Sequence, residues 1–201
     1  MAAAAPRLLP YAARSDGPAL ALPHGTVLFI GLLCFIGFLT EGSVLDWSAV
    51  FLISVRDIEP YYAGLAFASF SATMTLGRLV GDQIVRQLGG PTVIGLGGLC
   101  AAAGFAIAIL LPSLPAALLG YALVGAGCSN VVPVLFSSVG RQTDMPESVA
   151  VPAITALGYA GILAGPAIIG LIAHLLSLTS AFLLLTALLL GVAASGRLLR
   201  V

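Results

Sequence analysis

Val27-Leu-Phe-Ile-Gly-Leu-Leu-Cys-Phe-Ile-Gly-Phe-Leu39 holds thirteen residues without a charge or a breaker, and the run reaches residue 52 with only Glu41 and Asp46 ionisable. As a helix, such a 26-residue segment is about 39 Å long, against a bilayer core of ~30 Å. Working outward, five more segments are long and apolar enough to cross: 62–80, 92–111, 116–138, 149–175 and 179–195. Between them lie short breakers: Asp57-Ile-Glu-Pro60, Gly89-Gly-Pro91, Pro112-Ser-Leu-Pro115 and residues 141–147. A transmembrane barrel would instead show alternating segments of about ten residues. The sequence therefore predicts an all-α polytopic membrane protein of six spans over residues 26–197. Short connections predict sequential helices as neighbours in an up-down bundle.

The composition of the 201 residues supports this, with 60% hydrophobic and only 8% charged. A soluble domain carries about 25% charged residues. A soluble enzyme, a disordered chain and a nucleic-acid binder are excluded on that count. Eight basic and eight acidic residues give no net charge, and all eight basic residues are arginine. With so much Ala, Gly and Pro, the composition suggests a GC-rich bacterial genome. Cys34, Cys100 and Cys128 are scattered in apolar runs. They form neither a disulfide framework nor a metal-ligand spacing, so they are expected as packing thiols, with no cofactor implied.

Residues 1–25 hold four prolines and two arginines and have no stretch long enough to span. They are expected as a cytoplasmic lead-in, and residues 198–201 as a cytoplasmic tail. With six spans both ends share a side. That side collects Arg7, Arg14, Arg78, Arg86, Arg141, Arg197 and Arg200, while Arg56 alone lies opposite. The asymmetry predicts cytoplasmic termini in the cell (inner) membrane.

Gly77-x-x-x-Gly81 and Gly161-x-x-x-Gly165 have the spacing that lets helices approach closely in lipid, and Gly120, Gly125 and Gly127 thin the fourth span. Pro133, Pro152 and Pro166 within spans permit kinks. Tyr62-Ala-Gly64 and Tyr159-Ala-Gly161 lie 97 residues apart, close to the three spans of an inverted repeat, though the match does not extend.

Polar residues at membrane depth are the candidate site. Glu41 lies ~21 Å along the helix from Val27, past mid-bilayer. A carboxylate there is costly unless it faces a cavity or a partner. It is either a proton-carrying or substrate-binding acid, or a lumen-facing acid hydrogen-bonded to a neighbouring helix. Asp46 sits about 140° further round. An unbroken helix cannot aim both at one point, although Gly42-Ser43 offers a place to break. Asp46-Trp47 reads as an interfacial anchor. Asn130, with Ser129, Thr155 and Tyr159, either contacts solute or ties helices together. His174, near the outer end of the fifth span, reads as structural. Arg78, Asp82 and Arg86 are spaced to share one charged face on a continued helix, as a solvated end or a cytoplasmic interlock. Asp144-Met-Pro-Glu147 has capping-box spacing and reads as the start of the fifth span.

Gly77-Arg-Leu-Val-Gly-Asp82, followed by Arg86, resembles the loop signature of major facilitator superfamily transporters in the version found in their second half. Glu41-Gly-Ser-Val-Leu-Asp-Trp-Ser-Ala-Val50 resembles the seventh span of a bacterial subgroup, and Gly158-Tyr-Ala-Gly-Ile-Leu-Ala-Gly-Pro166 its eleventh. The resemblance covers about residues 22–197. Gln83 and Val85 depart from it, standing where the family usually has a basic residue and a glycine. The resemblance implies spans 7 to 12 of a fold whose substrate sits between two six-span halves. It implies alternating-access transport of a small solute, as symporter or antiporter, by a half-length chain: a truncated reading frame, a fragment or one part of a split transporter. The runner-up is a non-transporting fragment or accessory subunit. The partners implied are lipid, a small solute, and a separate first half or a second copy. Glu41, Asp46, Asn130 and Tyr159 would line the substrate or proton pathway. Gly77, Arg78, Gly81, Asp82 and Arg86 would form the cytoplasmic gate. An intramembrane serine protease, with Ser129 as nucleophile and His174 as base, is a poor motif match.

Overall fold

The computed structural model describes residues 22–198. Most of the lead-in, Arg7, Arg14, Arg200 and nearly all of the tail lie outside the described residues. The described residues form helices and no strand. The helices are α1 (Gly25–Ser54), α2 (Pro60–Ala63), α3 (Leu65–Leu79), α4 (Gly81–Leu88), α5 (Gly90–Leu110), α6 (Leu114–Cys128), α7 (Val131–Val139), α8 (Glu147–Leu175) and α9 (Leu178–Ser195).

Five helical units are long and apolar enough to cross a membrane: α1, α5, α6 with α7, α8 and α9. The count reaches six when Pro60–Leu79 and α4, bent by 63° from each other, are taken together as one broken span. The fourth span is interrupted at Ser129 and Asn130. Pro133 explains this, because it has no N–H to give the carbonyl four residues earlier. Pro152 and Pro166 lie within α8, which runs on through both.

The packing corrects the expectation of sequential neighbours. α1 lies along α8, α3 along α6, and α5 between α6 and α9. Of these pairs only α5 and α6 belong to consecutive spans. Small residues decide the pairing, since in lipid there is little hydrophobic drive to choose partners and close backbone contact does so. A Cβ at Gly161 would collide with the Phe35 carbonyl of α1, and one at Gly125 with the Phe70 carbonyl of α3. Gly161 thus sits mid-helix against α1, whereas Gly64 follows a single helical turn and has open space beside it. The two Tyr-Ala-Gly triplets do different jobs.

One core cluster, around Phe51, Phe105, Tyr121 and Phe182, packs on the C-terminal half of α1. A second, around Ile30, Ile94, Leu135 and Ile154, packs on its N-terminal half. Exposed leucines such as Leu32, Leu119, Leu163 and Leu171 face outward, as lipid allows. Two polar contacts seal helix ends. Arg56 donates to the carbonyls of Ala108, at 2.8 Å from Nη2, and Ile109 in the last turn of α5, and lies 5.3 Å from the centre of the Phe51 ring. The Thr26 N–H in the first turn of α1 donates to Asp144 at 2.6 Å. This corrects the reading of Asp144: the residue before α8 is Pro146, which makes no side-chain cap, and the aspartate caps α1 instead. Gly25 at φ +55° leaves room for that carboxylate, which a Cβ would strike.

Candidate functional site

Glu41 and Arg78 meet. α1 is unbroken through Gly42 and Ser43, and the Ser43 hydroxyl returns to the Leu39 carbonyl at 2.5 Å. The possible break is not used. Glu41 turns toward α3, where Arg78 Nη2 donates to both carboxylate oxygens at 3.3 Å. The glutamate side chain is 15% exposed and the arginine side chain 48%. The carboxylate within α1 is therefore offset by a cation on α3, as charges in apolar helices usually are.

The pair lines a cleft of about 270 Å³ with Leu45, Phe67, Phe70, Ser71, Met74, Thr75 and Ile162. Sequence reading missed these lining residues. A signal existed: Phe67, Ser71, Met74, Thr75 and Arg78 fall at helical spacing on one face of α3. Tyr159, 56% exposed, stacks on Phe38 with ring centres 5.6 Å apart, one turn before Glu41 on α1. Asp46 is exposed and is not among the residues that line the cleft, in keeping with its 140° offset from Glu41. The anchor reading of its neighbour needs correction: the Trp47 indole nitrogen is buried, and its ring lies beside Gly170 of α8.

Asn130 is 8% exposed and acts on the other side of α3. Its Nδ2 donates to the Gly77 carbonyl and to the Ser129 hydroxyl, each at 3.0 Å, and that hydroxyl donates to the Ala126 carbonyl at 2.7 Å. The interruption of the fourth span is thereby tied to the end of the second. Gly77 and Gly81 are the reason it fits. A Cβ at Gly77 would strike the Ser129 side chain, and one at Gly81 the Asn130 amide. Thr155 donates within its own helix, to the Val151 carbonyl at 2.7 Å.

The bend after α3 divides the charged motif. Arg78, Asp82 and Arg86 do not share one continued helix face, because the chain turns by 63° at the start of α4. Arg78 goes with Glu41. Asp82 and Arg86, on α4, line a separate cavity of about 360 Å³ with Asn130, Ser137, Ser138 and Arg141. Among the described residues no hydrogen bond joins Ser129 to His174, which is exposed in the last turn of α8. No group of three or more His, Cys, Asp or Glu that could hold a metal ion occurs among them either.

No family model matches the chain. It is 57% identical over 182 residues, 90% of its own length, to an uncharacterized MFS-type transporter of Yersinia pestis, covering 47% of that protein. It is 34% identical over 80% of its length to the membrane protein MosC of Rhizobium meliloti, covering 40% of it. The same identity over 80% of the chain links it to an uncharacterized transporter of Sinorhizobium fredii, of which 42% is covered. The chain spans about half the length, or a little less, of the curated relatives it matches. Its polytopic helical fold, the glycine-arginine-aspartate motif and these similarities agree in likening the chain to half of a major facilitator superfamily transporter.

Proposed function

We propose that the chain forms one wall of a transport pathway, equivalent to spans 7 to 12 of the superfamily, and carries a small solute by alternating access as a secondary transporter. The observation that supports this most is the Glu41–Arg78 pair, set in a cleft between α1, α3 and α8 rather than closed inside the bundle. Charges are expensive in the membrane and their commonest use there is a solute or ion path. Asp82 and Arg86 on α4, just past the Asn130 tie to Gly77, act as the cytoplasmic gate. Tyr159 lines the pathway beside Phe38, and Asp46 stands at its outer edge.

The same reading puts both termini in the cytoplasm of a bacterium and the spans in its inner membrane. The arginine distribution supports this orientation. Lipid and solute are the partners, together with a first six-span half, separate or fused, or a second copy.

The test is proton-driven accumulation in vesicles holding this chain with the first half of its Yersinia pestis relative. Glu41→Gln keeps size and hydrogen bonding but cannot titrate. It is expected to abolish uphill accumulation and to leave solute exchange. Accumulation at the parental level in this variant would show that Glu41 serves only to pair helices.

A further inference from the structure

We propose that the solute is an organic monocarboxylate, that Arg78 binds its carboxylate in place of Glu41, and that Glu41 takes a proton as it gives Arg78 up. This rests on the transport reading above and deepens it. In the pair, one guanidinium nitrogen serves both glutamate oxygens, and both distances are 3.3 Å. Charge-assisted N–H···O bonds settle at about 2.7–2.9 Å. The pair is loose, and among the described residues Nε and Nη1 have no hydrogen-bond acceptor, so they can serve a ligand. Arg78 is also the more exposed partner, so an incoming molecule meets the cation first. Both Glu41 oxygens face Arg78, which disfavours a cationic solute.

The rest of the cleft sets the class. Phe67, Phe70, Met74 and Leu45 offer an apolar bed, and Ser71 and Thr75 offer hydroxyls. Among the described residues Arg78 is the only cation lining it. One cation matches one negative charge, whereas a phosphate dianion would leave an uncompensated charge in apolar surroundings. Charge then balances as follows. Glu41 carboxylate, Arg78 guanidinium, solute carboxylate and one proton become neutral Glu41 acid and an Arg78–carboxylate pair. The proton comes from water on whichever side the cleft is open. No bond to carbon forms or breaks, and the cleft is neutral before and after.

The groups that face Glu41 are few. Arg78 comes from α3. Cys128 of α6 is buried and does not line the cleft. α8 contributes Ile162 at the cleft and Tyr159 one turn away, and Asp46 does not line it. The proton is therefore taken by Glu41.

The experiment measures equilibrium binding to vesicles from cells expressing the chain. The probes are benzoate and hexanoate, the neutral benzamide, and the cation benzylamine. We expect saturable carboxylate binding, at least about tenfold tighter than for the amide or amine, a factor typical of one charge-assisted contact. It should weaken by about tenfold from roughly pH 6 to pH 8, since binding consumes a proton. Glu41→Gln should bind carboxylate tightly at both pH values, because Arg78 is then free. Arg78→Gln should not bind it. Glu41→Gln/Arg78→Gln removes both charges at once and should reach the membrane at the parental level yet bind no carboxylate, so loss of binding is not loss of folding. The proposal is overturned if neither acid binds, if benzamide or benzylamine binds as well, or if the double variant still binds benzoate. Failure of the transport reading looks different. Carboxylate that binds in this pattern but is never accumulated, even beside a first half, removes transport and leaves the anion site. Chain-dependent accumulation of a neutral or cationic solute leaves transport and removes the anion site.

Discussion

Gly77 and Gly81 present hydrogens where any other residue would present a Cβ, and that hydrogen is the space Ser129 and Asn130 occupy. Overfilling a close-packed contact costs about 1–3 kcal/mol, so Gly81→Ala should destabilise by that amount. Asn130→Ala loses the bond to the Gly77 carbonyl and should cost about 1–2 kcal/mol. Because alanine at 130 removes the obstacle, the double variant should lose less than the sum. Thermal melts of the four proteins in detergent check the coupling, and strict additivity would separate the glycine from the asparagine. Asp144 gives a second residue-scale outcome. The Thr26 backbone N–H holds its carboxyl below the ordinary 3.8. A depressed acid stabilises the folded form above its unfolded pKa and loses that contribution as pH falls through the folded one. Amide-exchange protection at Thr26 should therefore fall in acid, below about pH 4. Asp144→Asn should lower it at neutral pH and flatten the profile. The glycine spacing was readable in the sequence. Its obstacles, Ser129 and Asn130 on another span, were not.

Helices in this bundle are joined by what their ends and small faces allow. Arg56 sits beyond α1 and donates to the last carbonyls of α5, where the helix dipole is negative. Arg56→Ala should cost about 1–2 kcal/mol in thermal stability. Arg56→Lys should recover only part of it, since an ammonium cannot fork to two carbonyls. A stability unchanged in both variants would remove the capping role. The Gly161 face of α8 against Phe35 of α1 is the tighter constraint. The ends of the first and fifth spans fell close to where the breakers placed them, whereas the second and fourth are each interrupted inside the stretch read as one span. The first span, read as 27–52, is Gly25–Ser54, and the fifth, read as 149–175, is Glu147–Leu175. Proline, glycine and short polar runs act locally, so boundaries are legible. Which helix lies against which is not, because glycine spacing marks a face without naming its partner.

At the scale of the whole molecule, the positive-inside reading has a direct check. Ser113, between the third and fourth spans, should be labelled only from outside when changed to cysteine, and Gln142, between the fourth and fifth, only from the cytoplasm. The reverse pattern would invert the topology. The 201 residues reconstituted alone should show no saturable uptake. The cleft opens beside α1, α3 and α8, and lipid cannot supply the facing polar wall that a pathway needs. Uptake by this chain alone would mean that a second copy closes the pathway.

The sequence by itself determined the solvent, the apolar helical segments and the order of the glycine-arginine-aspartate motif. Each is carried by local composition or by periodicity along one helix, and both are written in neighbouring residues. Tertiary structure alone decided the pairings. Arg78 looks, by spacing, like a neighbour of Asp82 and Arg86, yet the 63° turn after Leu79 ends the helical register that such spacing assumes. It pairs instead with Glu41, 37 residues earlier. Asp144 looks like a cap for its own helix and caps one 118 residues away. Helical period reports which residues share a face. The crossing of two helices, fixed by where small residues let backbones touch, decides what that face meets.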